Sequence, residues 1–134
     1  MRRPEIKQYL YILIVVGILQ ICDFLVFKSR NYTLNQKLFF GMTTSHFWLE
    51  AILFIALVIL TLKFFQYLGS IRGIVLIVAG GLSNLFDRVF YGGVIDYFQL
   101  YNFPIFNMAD LLLTLGVLLL CWELFFQNKT PSKT

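Results

Sequence analysis

The stretch GGLSNLFDRVFYGGVIDYFQLYNFPIFNMAD, residues 80–110, decides how the rest of this chain is read. It holds Asp87, Asp96 and Asp110, three of the chain's seven acidic residues, with Asn84, Arg88 and Asn107 among them. Long apolar runs lie on either side. A charge set beside hydrocarbon is costly, so one that persists there points to a function.

The flanks define the surroundings. Of 134 residues, 59% are hydrophobic and only 13% charged, and the mean hydropathy is +0.77. A soluble domain carries about twice that share of charge. The composition therefore predicts one membrane-embedded unit over residues 1–134. The net charge of +4 reads as topogenic, because the basic residues flank apolar runs and form no stripe. No nucleic-acid partner is expected.

Four runs are long enough to cross a hydrocarbon core of about 30 Å: residues 6–27, 47–68, 71–90 and 105–126. The first is too long for the apolar region of a cleaved signal peptide, and no small-x-small site closes it. Residues 28–46 are polar by comparison, with Lys28, Arg30, Asn31, Asn35, Gln36 and Lys37 between aromatics. Residues 91–104 form a loop with a Gly92-Gly93 turn, and the β-branched and aromatic residues of 94–101 read as extended. The expected fold is all-α: four transmembrane helices with a small extended, β-like region at the outer face.

Lys and Arg set the orientation. With the N-terminus inside, the inner side holds seven (Arg2, Arg3, Lys7, Lys63, Arg72, Lys129, Lys133) and the outer side four (Lys28, Arg30, Lys37, Arg88). Both termini are expected in the cytoplasm. Asp23, Lys28, Asn35, Glu50, Asn84, Asp87, Arg88, Asp96, Asn107 and Asp110 then gather at the outer face, and only Glu5 and Glu123 among the acids lie inward. Cys22 and Cys121 fall at opposite faces, beyond the roughly 7 Å that a disulfide spans. Both are expected to be small buried apolar residues.

Asp110 is expected five residues into the last span, about 8 Å along it, with Asn107 on the same helical face. Asp96 lies in a loop that must return to that span within a few residues. Two carboxylates held close cannot both ionise cheaply, so the pair retains one proton. That state suits metal-free peptide hydrolysis, with one member taking a proton from water and the other donating to the carbonyl oxygen. A lone His46 without a cysteine cluster argues against zinc. His46 itself reads as interfacial. Taken singly, each Asp also fits a helix cap or an interfacial charge. Two other classes compete: a small proton-coupled carrier that uses Asp110, and a membrane scaffold without turnover.

At these residues the chain resembles the lipoprotein signal peptidases, the type II signal peptidases of bacteria. That family carries G-G-A-x-G-N-x-x-D-R, then G-x-V-x-D-[FY], then F-N-x-A-D. The corresponding segments are AGGLSNLFDR (79–88), GGVIDY (92–97) and FNMAD (106–110), with Pro104 shortly before the last. The likeness thins toward the N-terminus. Of D-Q-x-x-K, Asp23 is present, Phe24 replaces the Gln and Lys28 comes one residue late. Of N-x-G-x-A-F-G, Asn35, Phe40 and Gly41 match while Lys37 and Phe39 do not. The resemblance implies an aspartic endopeptidase of the bacterial inner membrane with Asp96 and Asp110 as catalytic dyad. Asn35, Asn84, Asp87, Arg88 and Asn107 would support the site or bind substrate. It implies no cofactor and no metal. The implied substrate is a prolipoprotein cut before its diacylglyceryl-modified cysteine, with membrane lipid around a monomer. Phe39, Phe40, Phe47, Trp48, Tyr97 and Phe98 would hold lipid and signal helix, or form an interfacial belt.

Overall fold

The computed structural model describes residues 6–36, 48, 51–52, 54–56, 58–59, 63 and 72–127. Three helices dominate: α1 (Ile6–Ser29), α2 (Arg72–Tyr91) and α3 (Met108–Gln127). Each contains a stretch long and apolar enough to cross a membrane. Two short strands, β1 (Thr33–Asn35) and β2 (Val94–Asp96), follow α1 and α2. They pair antiparallel with Thr33 opposite Asp96 and Asn35 opposite Val94. The chain is thus a mostly helical membrane protein with a small two-stranded sheet. The expected second span, residues 47–68, lies largely outside the described residues, as do His46, Glu50, Phe39, Phe40 and Phe47; the described residues within it are helical.

The distribution of side chains is inverted relative to a soluble domain. Exposed large hydrophobics run along the helices, including Leu13, Ile21, Phe90, Leu118 and Phe125. Asp23, Ser83, Asp87, Asp96 and Asn107 are buried. Lipid accepts the first set without cost, whereas polar groups must turn inward to find partners. Cys22 and Cys121 are free, as expected, but both are exposed. Burial is not needed for a small apolar thiol when the outer solvent is lipid.

Helix α2 packs mainly on α3 and less extensively on α1. Ile74, Ile77 and Leu120 form the apolar centre of the α2–α3 contact, with Val78 and Leu113 packed against it. Glycine lets these backbones touch. A Cβ on Gly73 would lie 2.7 Å from the Gly116 carbonyl oxygen, and one on Gly80 would lie 2.6 Å from that of Ala109. Small residues at such crossings replace the hydrophobic drive that a bilayer does not supply. Gly81 faces the ring of Phe54, which leaves no room for a side chain there.

The turns explain how the strands meet. Gly92 adopts φ +75° just beyond α2, and its N–H bonds the Arg88 carbonyl at 3.1 Å. That left-handed residue ends the helix and sends the chain straight into β2. Of the extended run expected over 94–101, only Val94–Asp96 is strand; a single bridge then joins Phe98 to Phe106. The last helix begins at Met108 rather than at residue 105. Asp110 therefore lies in its first turn, not five residues deep.

Candidate active site

Asn107 precedes α3 and caps it. Its Oδ1 accepts from the Asp110 N–H at 2.9 Å, and Asp110 Oδ2 accepts from the Asn107 N–H at 3.2 Å. This reciprocal arrangement is a capping box. It brings Asn107 and Asp110 together through a helix start, not through the shared helical face that the spacing suggested. Asp110 thus caps its helix, and it does more. Asn84, on α2, donates from Nδ2 to Asp110 Oδ1 at 2.9 Å and accepts from Asn107 Nδ2 at 2.9 Å. Both Asp110 oxygens therefore hold fixed donors.

Asp96 ends β2 and is 2% exposed. Asn35, at the end of β1, donates from Nδ2 to Asp96 Oδ2 at 2.8 Å. The pairing register makes these diagonal neighbours across the ladder, within reach of one another's side chains. Asp96 Oδ1 is buried and has no hydrogen-bond partner among the described residues. Burial pushes the Asp96 carboxyl from its ordinary 3.8 up to about 6. The Asn35 bond opposes that rise, the negative charge of Asp110 adds to it, and the Arg88 charge opposes it. Asp96 and Asp110 are therefore electrostatic neighbours, although one comes from a strand and the other from a helix cap.

The remaining expected residues surround them. Asp87 is fully buried on α2; its Oδ2 accepts from the Ile95 N–H at 3.1 Å and its Oδ1 from Gln20 Nε2 at 3.0 Å. Arg88 is half-buried and donates from Nη1 to the Asn84 carbonyl at 3.4 Å. Its charge acts on Asp96. Asp23 on α1 is 2% exposed and accepts from Ser83 Oγ at 3.5 Å. The Tyr97 hydroxyl accepts from the Met108 N–H at 3.4 Å and faces the Asp23 carboxylate. Burial, followed by the Asp23 charge, pushes the Tyr97 phenol up, so it remains protonated as a donor. Trp48 is exposed, as a belt residue would be. Among the described residues, no group of three or more His, Cys, Asp or Glu side chains is arranged to hold a metal ion.

Sequence reasoning did not single out Gln20 and Ser83. The signal for Gln20 was present: an uncharged amide inside an apolar span, three residues before Asp23 and hence on its helical side. Ser83 gave only a small polar residue beside Asn84.

Comparison with known proteins bears on this site. The model of the family described as Signal peptidase (SPase) II matches residues 6–126. The chain is similar to a lipoprotein signal peptidase of Rickettsia bellii (strain OSU 85-389), 32% identical over 77% of this chain. The match spans only 58% of that relative's length. A lipoprotein signal peptidase of Wigglesworthia glossinidia brevipalpis is 34% identical over 69% of this chain and 68% of its own length. A solved structure, described as a bacterial membrane enzyme obtained by the in meso method at 2.3 Å resolution, superposes with a TM-score of 0.77. It is 24% identical over 96% of this chain and 93% of that one, a likeness of fold. The extent of the family match, joined to these relatives, means that this chain belongs to the signal peptidase II family.

Proposed function

We propose that the chain is an intramembrane aspartic endopeptidase that removes the signal peptide of a prolipoprotein, cutting before the diacylglyceryl-modified cysteine. The observation that carries this reading is the pair of hydrogen bonds by which an asparagine orients each carboxylate, Asn35 on Asp96 and Asn84 on Asp110, with the Asp110 charge acting on Asp96. Membership in the signal peptidase II family supports the substrate class.

In this reading the two carboxylates hold one proton between them. A water enters beside the bare Asp96 Oδ1. The ionised member takes a proton from that water as its oxygen attacks the scissile carbonyl carbon. The protonated member gives its proton to the carbonyl oxygen, leaving a neutral tetrahedral diol. The proton gained from water then passes to the leaving nitrogen of the lipidated cysteine. The C–N bond breaks, and a diol hydroxyl returns its proton to the other carboxylate. One shared proton is regenerated, and no cofactor takes part. Asn35 and Asn84 orient the dyad, Asn107 fixes Asp110 through the cap, and Asp87 and Arg88 support Asp96.

The reading also places four spans in the bacterial cytoplasmic membrane, with both termini inside and the dyad beneath the outer leaflet. A monomer then receives the signal helix and the diacylglyceryl group sideways from lipid. Incubating the purified protein in detergent with a diacylated prolipoprotein tests it. Mass spectrometry should find a cut immediately before the lipidated cysteine, at an undiminished rate with EDTA. An uncut precursor, or loss of activity on chelation, would contradict it.

A further inference from the structure

The dyad does not use Gln20, yet its side chain reaches two residues of the buried network, Ser83 and Asp87. Its Nε2 lies 3.0 Å from Asp87 Oδ1, 3.1 Å from Ser83 Oγ and 3.2 Å from the Ser83 carbonyl oxygen. Turning the amide over would set its oxygen against a carboxylate and a carbonyl, so the chemistry of the partners fixes nitrogen at this point. Ser83 Oγ in turn donates to Asp23 Oδ2 at 3.5 Å. On its other oxygen Asp87 holds the Ile95 N–H at 3.1 Å. Ile95 is 0% exposed, sits in the middle of β2 and immediately precedes Asp96.

One edge of β2 is ordered by β1. The bond from the Ile95 amide to Asp87 orders it from the α2 side. Asp87 can do this only while its second oxygen is satisfied. A buried carboxylate that loses a donor turns toward whatever partner is left, or takes a proton. We infer that Gln20 is a positioning residue for Asp96: it orients the Asp87 carboxylate that holds the Ile95 amide, and so sets where β2 presents Asp96. The inference rests on the reading of Asp96 as catalytic.

The test uses Gln20→Leu, which removes the donor, and Gln20→Asn, whose shorter stem draws the amide away from Asp87 while keeping its polarity. Both are made in the full chain and purified in detergent. Turnover of a diacylated prolipoprotein is followed alongside hydrogen exchange of the Ile95 amide. The expected result is a fall in kcat of about 10- to 100-fold with KM within about twofold of wild type. The Ile95 amide should also exchange faster. If Gln20→Leu fails to fold, the same pattern is expected of Gln20→Asn. A folded variant with wild-type kcat and a still-protected Ile95 amide overturns the inference, as does a rise in KM alone. The exchange arm needs no turnover. It therefore decides the role of Gln20 even if Asp96→Asn retains cleavage, a result that would strike the dyad reading instead.

Discussion

Asn84 Nδ2 donates to Asp110 Oδ1 at 2.9 Å, so a side chain of α2 grips the first turn of α3 at the carboxylate itself. The same amide accepts from Asn107 at 2.9 Å, which ties the helix cap into the grip. Asn84→Leu keeps the approximate volume and removes both bonds. It should lower kcat by about 10- to 100-fold and destabilise the fold by about 1–3 kcal/mol. Single-turnover kinetics and thermal melts in detergent measure the two effects. A variant that melts lower but turns over normally would make Asn84 structural only.

The raised proton affinity of Asp96 sets a stability signature. Burial lifts its carboxyl from 3.8 to about 6, so the folded state binds this proton more tightly than the unfolded chain does. Below about pH 4 both states are protonated and the group costs nothing. As pH rises from about 4 to 6 the unfolded chain ionises first, and stability falls. Asp96→Asn removes that cost while keeping an acceptor for Asn35. It should raise the melting temperature at about pH 8 and leave it nearly unchanged at about pH 4. An equal effect at both would contradict the assignment.

The hydrogen bond from Asn35 lowers the Asp96 proton affinity, against the pull of burial. Asn35→Ala should therefore shift the acid limb of the rate profile, set by the dyad as a pair, toward higher pH. The profile itself should be bell-shaped, because the shared proton must be neither lost nor doubled. A limb that stays in place in Asn35→Ala would remove Asn35 from the electrostatics of the site.

Two glycines of α2 separate stability from catalysis. Gly73→Ala drives a methyl toward the Gly116 carbonyl, remote from the carboxylates; Gly80→Ala drives one toward Ala109, beside Asp110. Overpacking of this kind costs about 1–3 kcal/mol, so both should melt lower. Only Gly80→Ala should also lose kcat in its folded fraction. Equal kcat losses would mean that the α2–α3 spacing controls the site as a whole.

Three of the four expected spans are legible because apolar runs of this length have few other uses, and the buried acids Asp87 and Asp96 stand out by their charge in such a chain. The strand β1 was not legible. Thr33–Asn35 has neither length nor alternation, and it is strand only because Gly93 leaves room: a Cβ there would lie 3.0 Å from the Asn35 carbonyl oxygen. The sequence places the start of α3 too early because residues 105 and 106 are as apolar as the helix that follows. What fixes it is the reciprocal bonding of Asn107 and Asp110, a pattern of N-cap and third helical residue that the sequence does contain. Gln20 is hard to read from sequence because a neutral amide in an apolar span carries a weaker signal than a charge, though its bonds reach Asp87 and Ser83.

The most direct measurement is cleavage of a diacylated prolipoprotein by purified Asp96→Asn and Asp110→Asn, each first checked for folding by its melting curve. Two carboxylates that share one proton cannot work singly, so each variant should fold and neither should cut. Cleavage at the wild-type rate by either folded variant would contradict the dyad.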